Sequence, residues 1–464
     1  MTSCAARKLI VVVGCTGTGK SKLAIELAKQ FSGEVVSADS MQIYNGLNII
    51  TNKVTSEEAD GIPHHLMSYL SPLTFGYTVT QYRKRALVVL EDIWKRNKVP
   101  IMVGGTGYYI ESLLWNLLIG NEHNKAEEAS TSTNAETDVE GHITFLAQGL
   151  PPNLRNASAS DLYAELQRID PARAVQLHPN DHRRVMRALQ LWFTTQKKQS
   201  DIIEEKRNLT GVYQGGELAF PDTIALWIQC DRDTLVDRLS SRVDSMVQQG
   251  LENELVEFYD TYFQLYCDNL QNDTETATTL RDGVKGVFQC IGLKEFMPFL
   301  RLDSAEKNSE TGRNVFKQCC DSLKIVTRQY ARRQIRRIQS SFLQMPTRQC
   351  PPVYALNSTN LDQWDSEVKE RGFEIVSAFL NGRCVPSDFV PLPVKAPENP
   401  NERITVYCEA CKKYITGSQQ FSDHLRTKKH RHFARKAYGS NSYGPSCDDE
   451  FILSNAIDSF HDTL

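Results

Sequence analysis

Apolar runs rich in β-branched residues occur at 9–13, 34–37, 99–103 and 223–230. They are continuous rather than alternating, so they predict short strands buried on both faces, as in a parallel sheet. Helical spacing lies between them, for example around 80–96. From 160 to 200 the pattern is helical with no strand, which predicts a helical insertion into an α/β core. Helical spacing returns over 284–345. The polar, acidic 121–141 stretch predicts a mobile loop, and 268–279 predicts another. Five prolines between 385 and 402 predict an extended linker. The expected organisation is a sheet core at 8–118 and 220–345, a mainly helical insertion at 119–219 and a linker region at 346–402. A small module at 403–438 and a disordered tail at 439–464 complete it.

The first strand runs into Gly14-Cys15-Thr16-Gly17-Thr18-Gly19-Lys20-Ser21, and a helical pattern follows. Strand, G-x-x-x-x-G-K-[ST] and helix together form a phosphate-binding P-loop. Its glycines let the backbone approach phosphate oxygens, and the amides and helix N-terminus point at the anion. Thr16, Gly17, Thr18, Gly19, Lys20 and Ser21 are the expected cradle; Lys20 adds charge and the Ser21 hydroxyl is a candidate Mg²⁺ ligand. The loop specifies a polyphosphate without saying which one. Asp39 follows the second strand, where ligands bind in open α/β sheets. It is either a metal contact or general base, or a helix N-cap. Val103-Gly104-Gly105-Thr106-Gly107 is a second glycine turn after a strand, either anion-facing through Thr106 or an ordinary turn.

Two helical stretches are basic. Asp181–Leu189 carries Arg183, Arg184 and Arg187 on one side, with Val185, Leu189 and Trp192 available to a core. Lys324–Arg348 carries Arg328, Arg332, Arg333, Arg336 and Arg337 with no acidic residue in the span. Arg328, Arg332 and Arg336 form one stripe, Arg333 and Arg337 the next. Like charges this close repel, so a nucleic-acid backbone is the favoured partner over a solvated face. Cys408-x₂-Cys411-x₁₂-His424-x₅-His430 has tetrahedral zinc spacing, with His432 as a substitute for His430. Both histidines are expected on one following helix. Phe421 and Leu425 would pack the module, and its many Lys and Arg side chains favour nucleic acid.

The 464 residues allow two or three domains. The net charge of −3 excludes a polycation, so any nucleic-acid surface arises from local segregation. The 12 cysteines are mostly scattered, which with a nucleotide-type loop implies a reducing compartment. No run approaches the ~20 apolar residues of a membrane span. The loop starts at Gly14, leaving little room for a removable leader, although Arg7 and Lys8 without an acid are compatible with an organellar signal. The expected location is the cytosol or mitochondrion, with the nucleus left open.

These segments together resemble the tRNA dimethylallyltransferases, in family order over roughly 9–340. The carriers are Gly14–Ser21, Ser37–Tyr44, Pro63–Leu66, Val103–Thr106, His178–Asp181 with Arg183, Arg184 and Arg187, Arg242–Met246 with Gly250-Leu251, Gln289–Glu295 and Thr327–Gln334. The C-terminal module resembles the matrin-type finger of the eukaryotic branch. Cys15 stands where bacterial members usually have Pro. The resemblance implies transfer of a prenyl group from dimethylallyl diphosphate to the exocyclic amine of the adenine immediately 3′ of the anticodon. The tRNAs are those reading codons that begin with U. It implies that Lys20, Arg242 and Mg²⁺ neutralise the diphosphate leaving group, Thr106 hydrogen-bonds its oxygens and Asp39 accepts the amine proton. Asp39, Ser40, Met41, Gln42, Arg183, Arg184, Arg187, Gln289 and Lys294 would meet the anticodon stem-loop. Arg328, Arg332, Arg333 and Arg336 would hold its backbone. Zn²⁺ would be structural, the protein monomeric. A P-loop kinase acting on a nucleoside or polynucleotide, and a zinc protein with the α/β domain as scaffold, are the competing classes.

Overall fold

Each of the four apolar runs forms a strand of one parallel sheet: β1 (Leu9–Gly14), β2 (Gly33–Ser37), β4 (Val99–Gly104) and β5 (Thr223–Gln229). The computed structural model describes residues 7–74, 76–115, 150–155, 157–209, 216–271, 286–346, 348–396 and 404–438. The sheet order is β3-β2-β4-β1-β5-β6, with β3 at His64–His65 and β6 at Val353–Asn357. In β1, Leu9, Val11 and Val13 enter one apolar layer while Ile10 and Val12 enter the other. This two-sided burial is why the run is continuous in sequence. Helix α1 (Lys20–Gln30) covers one face with Leu23, Ala24 and Leu27. Helices α2 (Val79–Lys95) and α3 (Gly107–Leu114) cover the other through Tyr82, Leu90, Ile110 and Leu113. Helices α4 (Arg232–Gln248) and α5 (Glu310–Ile338) complete this unit with α6 (Arg371–Leu380).

Both edge strands escaped the periodicity. β3 is two residues long and is fixed electrostatically: His65 Nε2 lies 2.7 Å from Glu34 Oε2, and Arg96 Nη2 donates to the same oxygen at 2.8 Å. The Arg96 guanidinium, then His65, holds the buried Glu34 carboxyl down at about 2 despite burial. β6 follows Pro351-Pro352 and pairs in parallel with β5, Ala225 opposite Val353. The expected 346–402 linker is therefore corrected. Trp364 and Val368 join the layer over α1, Leu392 N donates to Val353 O at 2.7 Å, and Lys395 N donates to Leu343 O at 2.8 Å. The prolines mark a strand entry and an extended strap that is pinned to the core.

The described residues form two compact units, and residues 7–115 and 216–396 belong to the first. The second joins the 150–209 helices to 404–438. Its helices Ala159–Ile169 and His182–Thr195 share a core of Leu162, Leu166, Val185 and Leu189, with Trp192 packed against it. The C-terminal module is a hairpin of β7 (Thr405–Cys408) and β8 (Lys413–Thr416), then helices Ser418–Leu425 and Lys428–Tyr438. Thr405 N donates to Val175 O at 2.7 Å, and the Tyr414 ring meets Tyr163 and His178 at 6.4 and 6.1 Å. The module is thus docked on the helical insertion, although more than 190 residues separate them in sequence.

The 268–279 loop expectation is corrected at its start, because one helix runs Leu251–Gln271. Residues 272–279, the 121–141 loop and the tail after Tyr438 lie outside the described residues. Among the described residues no helix is long and apolar enough to cross a membrane.

Truncation separates strap from linker. A chain ending after Ala396 is expected to retain the melting transition of the sheet unit. One ending after Gln349 loses β6, Trp364 and α6, exposes the β5 edge, and should be insoluble or unfolded by circular dichroism. A soluble, cooperatively melting 349-residue product would remove β6 from the core.

Candidate active site

Three loops leave the C-terminal ends of neighbouring strands. The P-loop follows β1, the Asp39 turn follows β2, and the second glycine turn follows β4, which lies between them. Gly17 and Gly19 hold φ of 85° and 89°, the left-handed region that favours glycine. A Cβ at Gly19 would sit 2.6 Å from the Trp364 ring. Trp364 is itself held by its Nε1 donating to the Glu26 carboxylate at 3.1 Å. Trp364 thus braces the N-terminus of α1.

Thr18 Oγ1 donates to Cys15 O at 2.9 Å, and Lys20 Nζ donates to the same carbonyl at 2.7 Å. Burial, and more weakly the neighbouring Arg242, pulls the Lys20 ammonium down to about 8, with Cys15 and Asp39 acting against the shift. Arg242, on α4, donates from Nη1 to Thr16 Oγ1 at 2.7 Å. Burial lowers its guanidinium to about 10, and Asp39 opposes that. Both cations are charged at neutral pH and desolvated, so an anion reaching them gains more than it would at a wet surface. Ser21 is half-buried at the second position of α1.

The helix N-cap reading of Asp39 is corrected, because a turn and not a helix follows it. Its Oδ1 accepts Met41 N at 2.9 Å and Gln42 N at 3.4 Å, which closes that turn. The same carboxylate acts electrostatically on Lys20 and Arg242. The turn is anchored beneath by Tyr82 OH donating to Ser37 O at 2.9 Å, with Tyr82 stacked on Tyr109 at 3.8 Å. Thr106 Oγ1 accepts Ser40 N at 3.0 Å and donates to Ser40 Oγ at 3.3 Å. Its hydroxyl therefore locks the Asp39 turn to the second glycine turn. Gln42 Nε2 donates to Thr51 O and Asn52 O at 3.1 and 3.0 Å, so this side chain is occupied within its own loop.

Helix α5 departs most from expectation. Arg332, Arg333 and Arg336 are exposed, as a backbone-binding stripe requires, and Arg328 is half-buried. Arg337, expected beside them, turns inward: its Nε and Nη2 grip Glu111 at 2.6 and 2.7 Å. The acid absent from the local sequence comes from α3. Gln334, missed by the sequence reading except as the end of a motif, lies between the glycine loops, and Tyr330 on the same face interacts with Thr106 and Gln334. Burial, aided by Asp39, raises the Tyr330 phenol, so it stays protonated. Gln289 and Lys294 are exposed in this unit. Arg183, Arg184 and Arg187 belong to the other unit. There Arg183 and Arg184 are exposed and Arg184 pairs with Asp181 at 3.2 Å. Arg187 is drawn inward to Gln190 Oε1 at 2.7 Å, and burial lowers its pKa.

In the C-terminal module the ligand atoms of Cys408, Cys411, His424 and His430 lie within 4.8 Å of one another. His424 Nε2 is 3.3 Å from Cys408 Sγ, and His430 Nδ1 is 3.5 Å from each thiol. A tetrahedral ion with bonds of about 2.1–2.3 Å sets its ligands roughly this far apart, so the donor set fits zinc. His432 is exposed and takes no part. The expectation that both histidines lie on one helix is corrected: they fall on two. Six positions on a continuous helix would point them apart; the chain breaks at Arg426-Thr427, and Thr427 Oγ1 caps the next helix through His430 N at 3.1 Å.

The sheet, the loop and the two desolvated cations define a P-loop α/β protein built to take a polyphosphate at its strand ends. A family model described as IPP transferase matches residues 42–341, and one described as zinc-finger double-stranded RNA-binding matches 405–431. The tRNA dimethylallyltransferase of Mus musculus is 37% identical over 455 residues, 96% of this chain and 91% of that protein. The Homo sapiens protein of that name is 37% identical, over 92% of this chain and 86% of its own. That of Saccharomyces cerevisiae is 34% identical, over 83% and 79%. A solved eukaryotic dimethylallyltransferase acting on tRNA matches with a TM-score of 0.68 and 29% identity, over 93% of this chain and 97% of that one. The chain belongs to the tRNA dimethylallyltransferases, an enzyme family.

Lys20 is charged below about pH 8, and a bound polyanion raises its pKa. Pyrophosphate binding should therefore take up about half a proton near pH 8, and its affinity should fall as pH rises from 7 to 9. Calorimetry in buffers of different ionisation enthalpy reads this, with Lys20→Met lacking the difference. Equal uptake by both proteins would remove Lys20 from the anion site. A second measurement follows from the docked module. Chelating the metal should speed amide exchange over 159–195 as well as over 404–438, because the insertion loses its cover. Unchanged exchange at 159–195 would mean the contact carries no stability.

Proposed function

We propose that this protein transfers the dimethylallyl group of dimethylallyl diphosphate to the exocyclic amine of the adenosine immediately 3′ of the anticodon, forming isopentenyladenosine in tRNAs that read codons beginning with U. One observation carries the proposal chemically: a carboxylate, Asp39, lies within electrostatic reach of two desolvated cations, Lys20 and Arg242. Prenyl transfer needs that opposition. The amine nitrogen forms a bond to the terminal carbon as the carbon–oxygen bond to the diphosphate breaks. Electrons leave with the diphosphate oxygen, and the nitrogen gives up a proton.

Lys20 and Arg242 meet the growing negative charge, and the P-loop amides bind the same group before and after bond cleavage. Asp39 takes the proton; its Oδ1 already accepts two amides, so Oδ2 is the oxygen we assign to the task. A diphosphate carries more charge than two cations balance. The half-buried Ser21 hydroxyl would hold a Mg²⁺ ion there, supplying further neutralisation. Zn²⁺ at Cys408, Cys411, His424 and His430 is structural in this reading, remote in role from bond making.

A base inside an anticodon loop cannot reach a strand-end recess unless it swings out of its stack. The exposed Arg332, Arg333 and Arg336 are placed to hold the phosphate backbone while it does so. The basic side chains around the zinc cluster, among them Lys413, Arg426, Lys428 and Arg431, are exposed and add a salt-dependent, sequence-independent contact. We place the activity in the cytosol, the mitochondrion or both, with the nucleus left open, because scattered cysteines beside a nucleotide-type loop imply a reducing compartment.

Incubation with labelled dimethylallyl diphosphate and total tRNA, followed by nucleoside analysis, should yield labelled isopentenyladenosine, and ATP should not substitute. Asp39→Asn should cut turnover by about 10²–10⁴ and leave tRNA affinity nearly intact. Phosphoryl transfer from ATP would establish the kinase alternative instead, and near-normal turnover by the Asn variant would take the base role from Asp39.

A further inference from the structure

Gln334 occupies a position that no catalytic assignment above uses. It is 5% exposed and projects from α5 between the two glycine loops. Its Oε1 accepts Thr16 N of the P-loop at 2.8 Å, and its Nε2 donates to Gly105 O at 3.2 Å. Both ends of one side-chain amide are thereby spent on backbone groups of two different loops. The fit leaves no slack: a Cβ at Gly105 would fall 1.9 Å from Gln334 Nε2. Gly105 lacks the positive φ that would otherwise account for a glycine there. Three residues further along α5, Arg337 grips Glu111 of α3, and a Cβ at Gly107 would lie 2.7 Å from its Cγ. Gly105, Gly107, Glu111, Gln334 and Arg337 line one recess.

Thr16 is pinned twice, its amide by Gln334 and its hydroxyl by Arg242. A left-handed glycine follows it at once, so its placement directs the next peptide planes of the cradle. The second loop carries Thr106, which fixes Ser40 and with it the Asp39 turn. We propose that Gln334 is a positioning residue that holds the diphosphate loop in register with the Thr106–Asp39 turns, setting the leaving-group cradle against the proton acceptor. Its geometry is that of a brace between two site loops, and it touches neither substrate in this account. An amide suits the place because one planar group both accepts from Thr16 and donates to Gly105; neither a carboxylate nor an ammonium does both.

The inference rests on the prenyl-transfer reading for its consequence in turnover, but pyrophosphate affinity tests it without turnover. Gln334→Met keeps the volume and loses both hydrogen bonds. It should weaken inorganic pyrophosphate binding about tenfold and lower turnover at saturating substrates by about 10–100-fold, leaving tRNA affinity within twofold and the melting temperature within a few degrees. Gly105→Ala, which evicts the Gln334 amide, should lower pyrophosphate affinity to a similar extent. In a Gln334→Ala background the same Gly105→Ala change should cost no more than about twofold, because the clash is gone. That non-additivity distinguishes a brace from general packing. Full pyrophosphate affinity in Gln334→Met, equal costs of Gly105→Ala in both backgrounds, or parallel loss of tRNA binding and melting temperature would each overturn the proposal. Coupling without prenyl transfer by the wild type would leave the brace standing and sink the prenyl-transfer reading instead.

Discussion

Two buried cations with no full counter-charge set the terms for the rest of the molecule. Lys20 and Arg242 stand away from water, which pulls both below their ordinary pKa values, and Arg242 adds to the shift of Lys20. Left to themselves they would splay into solvent. They remain because Lys20 is tied to Cys15 O and Arg242 to Thr16 Oγ1, and because β1 and its neighbours are buried on both faces and cannot yield. The sheet is the scaffold that makes an electrostatically unfavourable site persist until an anion relieves it.

Helix α5 connects this site to an outer surface. Its inward face carries Tyr330, Gln334 and Arg337, spaced so that consecutive turns reach consecutive parts of the site. Its outward face carries Arg332, Arg333 and Arg336. Like charges on a helix are destabilising, and here the cost is reduced by sending one guanidinium into a bidentate pair with Glu111 while the others keep their hydration. The exposed remainder is a cationic stripe whose position relative to the P-loop is fixed by hydrogen bonds.

The zinc module has a related dependence. A unit of this size has little core of its own, here Cys408, Phe421, His430 and Ala434, and the Cys/His cluster within it is where a bound metal would add stability. It also borrows the insertion helices, with Tyr414 seated by Tyr163 and His178. Neither the metal nor the docking alone explains why the Cys-x₂-Cys turn is presented at a defined place.

The sequence by itself determined the central strands, the P-loop, the insertion's helical character and the zinc ligands Cys408, Cys411 and His424, while His430 over His432 was decided by the structure. In each case the cause is local: two-sided burial makes a continuous apolar run, and glycine spacing dictates the loop. Thiols and imidazoles at fixed intervals announce a metal. Tertiary structure alone decided the rest. β3 is too short to show a period and β6 lies in a stretch that reads as linker; they exist because Glu34 and β5 offer them partners. Arg337 reads as one of a basic run until Glu111, distant in sequence, claims it. Asp39 as helix cap or as a charged site group could not be settled from its neighbours; the structure puts a turn and not a helix after it, with its charge acting on Lys20 and Arg242. Gln334 entered the sequence reading only as the end of a motif, because its role is defined by two backbone groups from loops far away in the chain, and hydrogen bonds to backbone leave no trace in residue type.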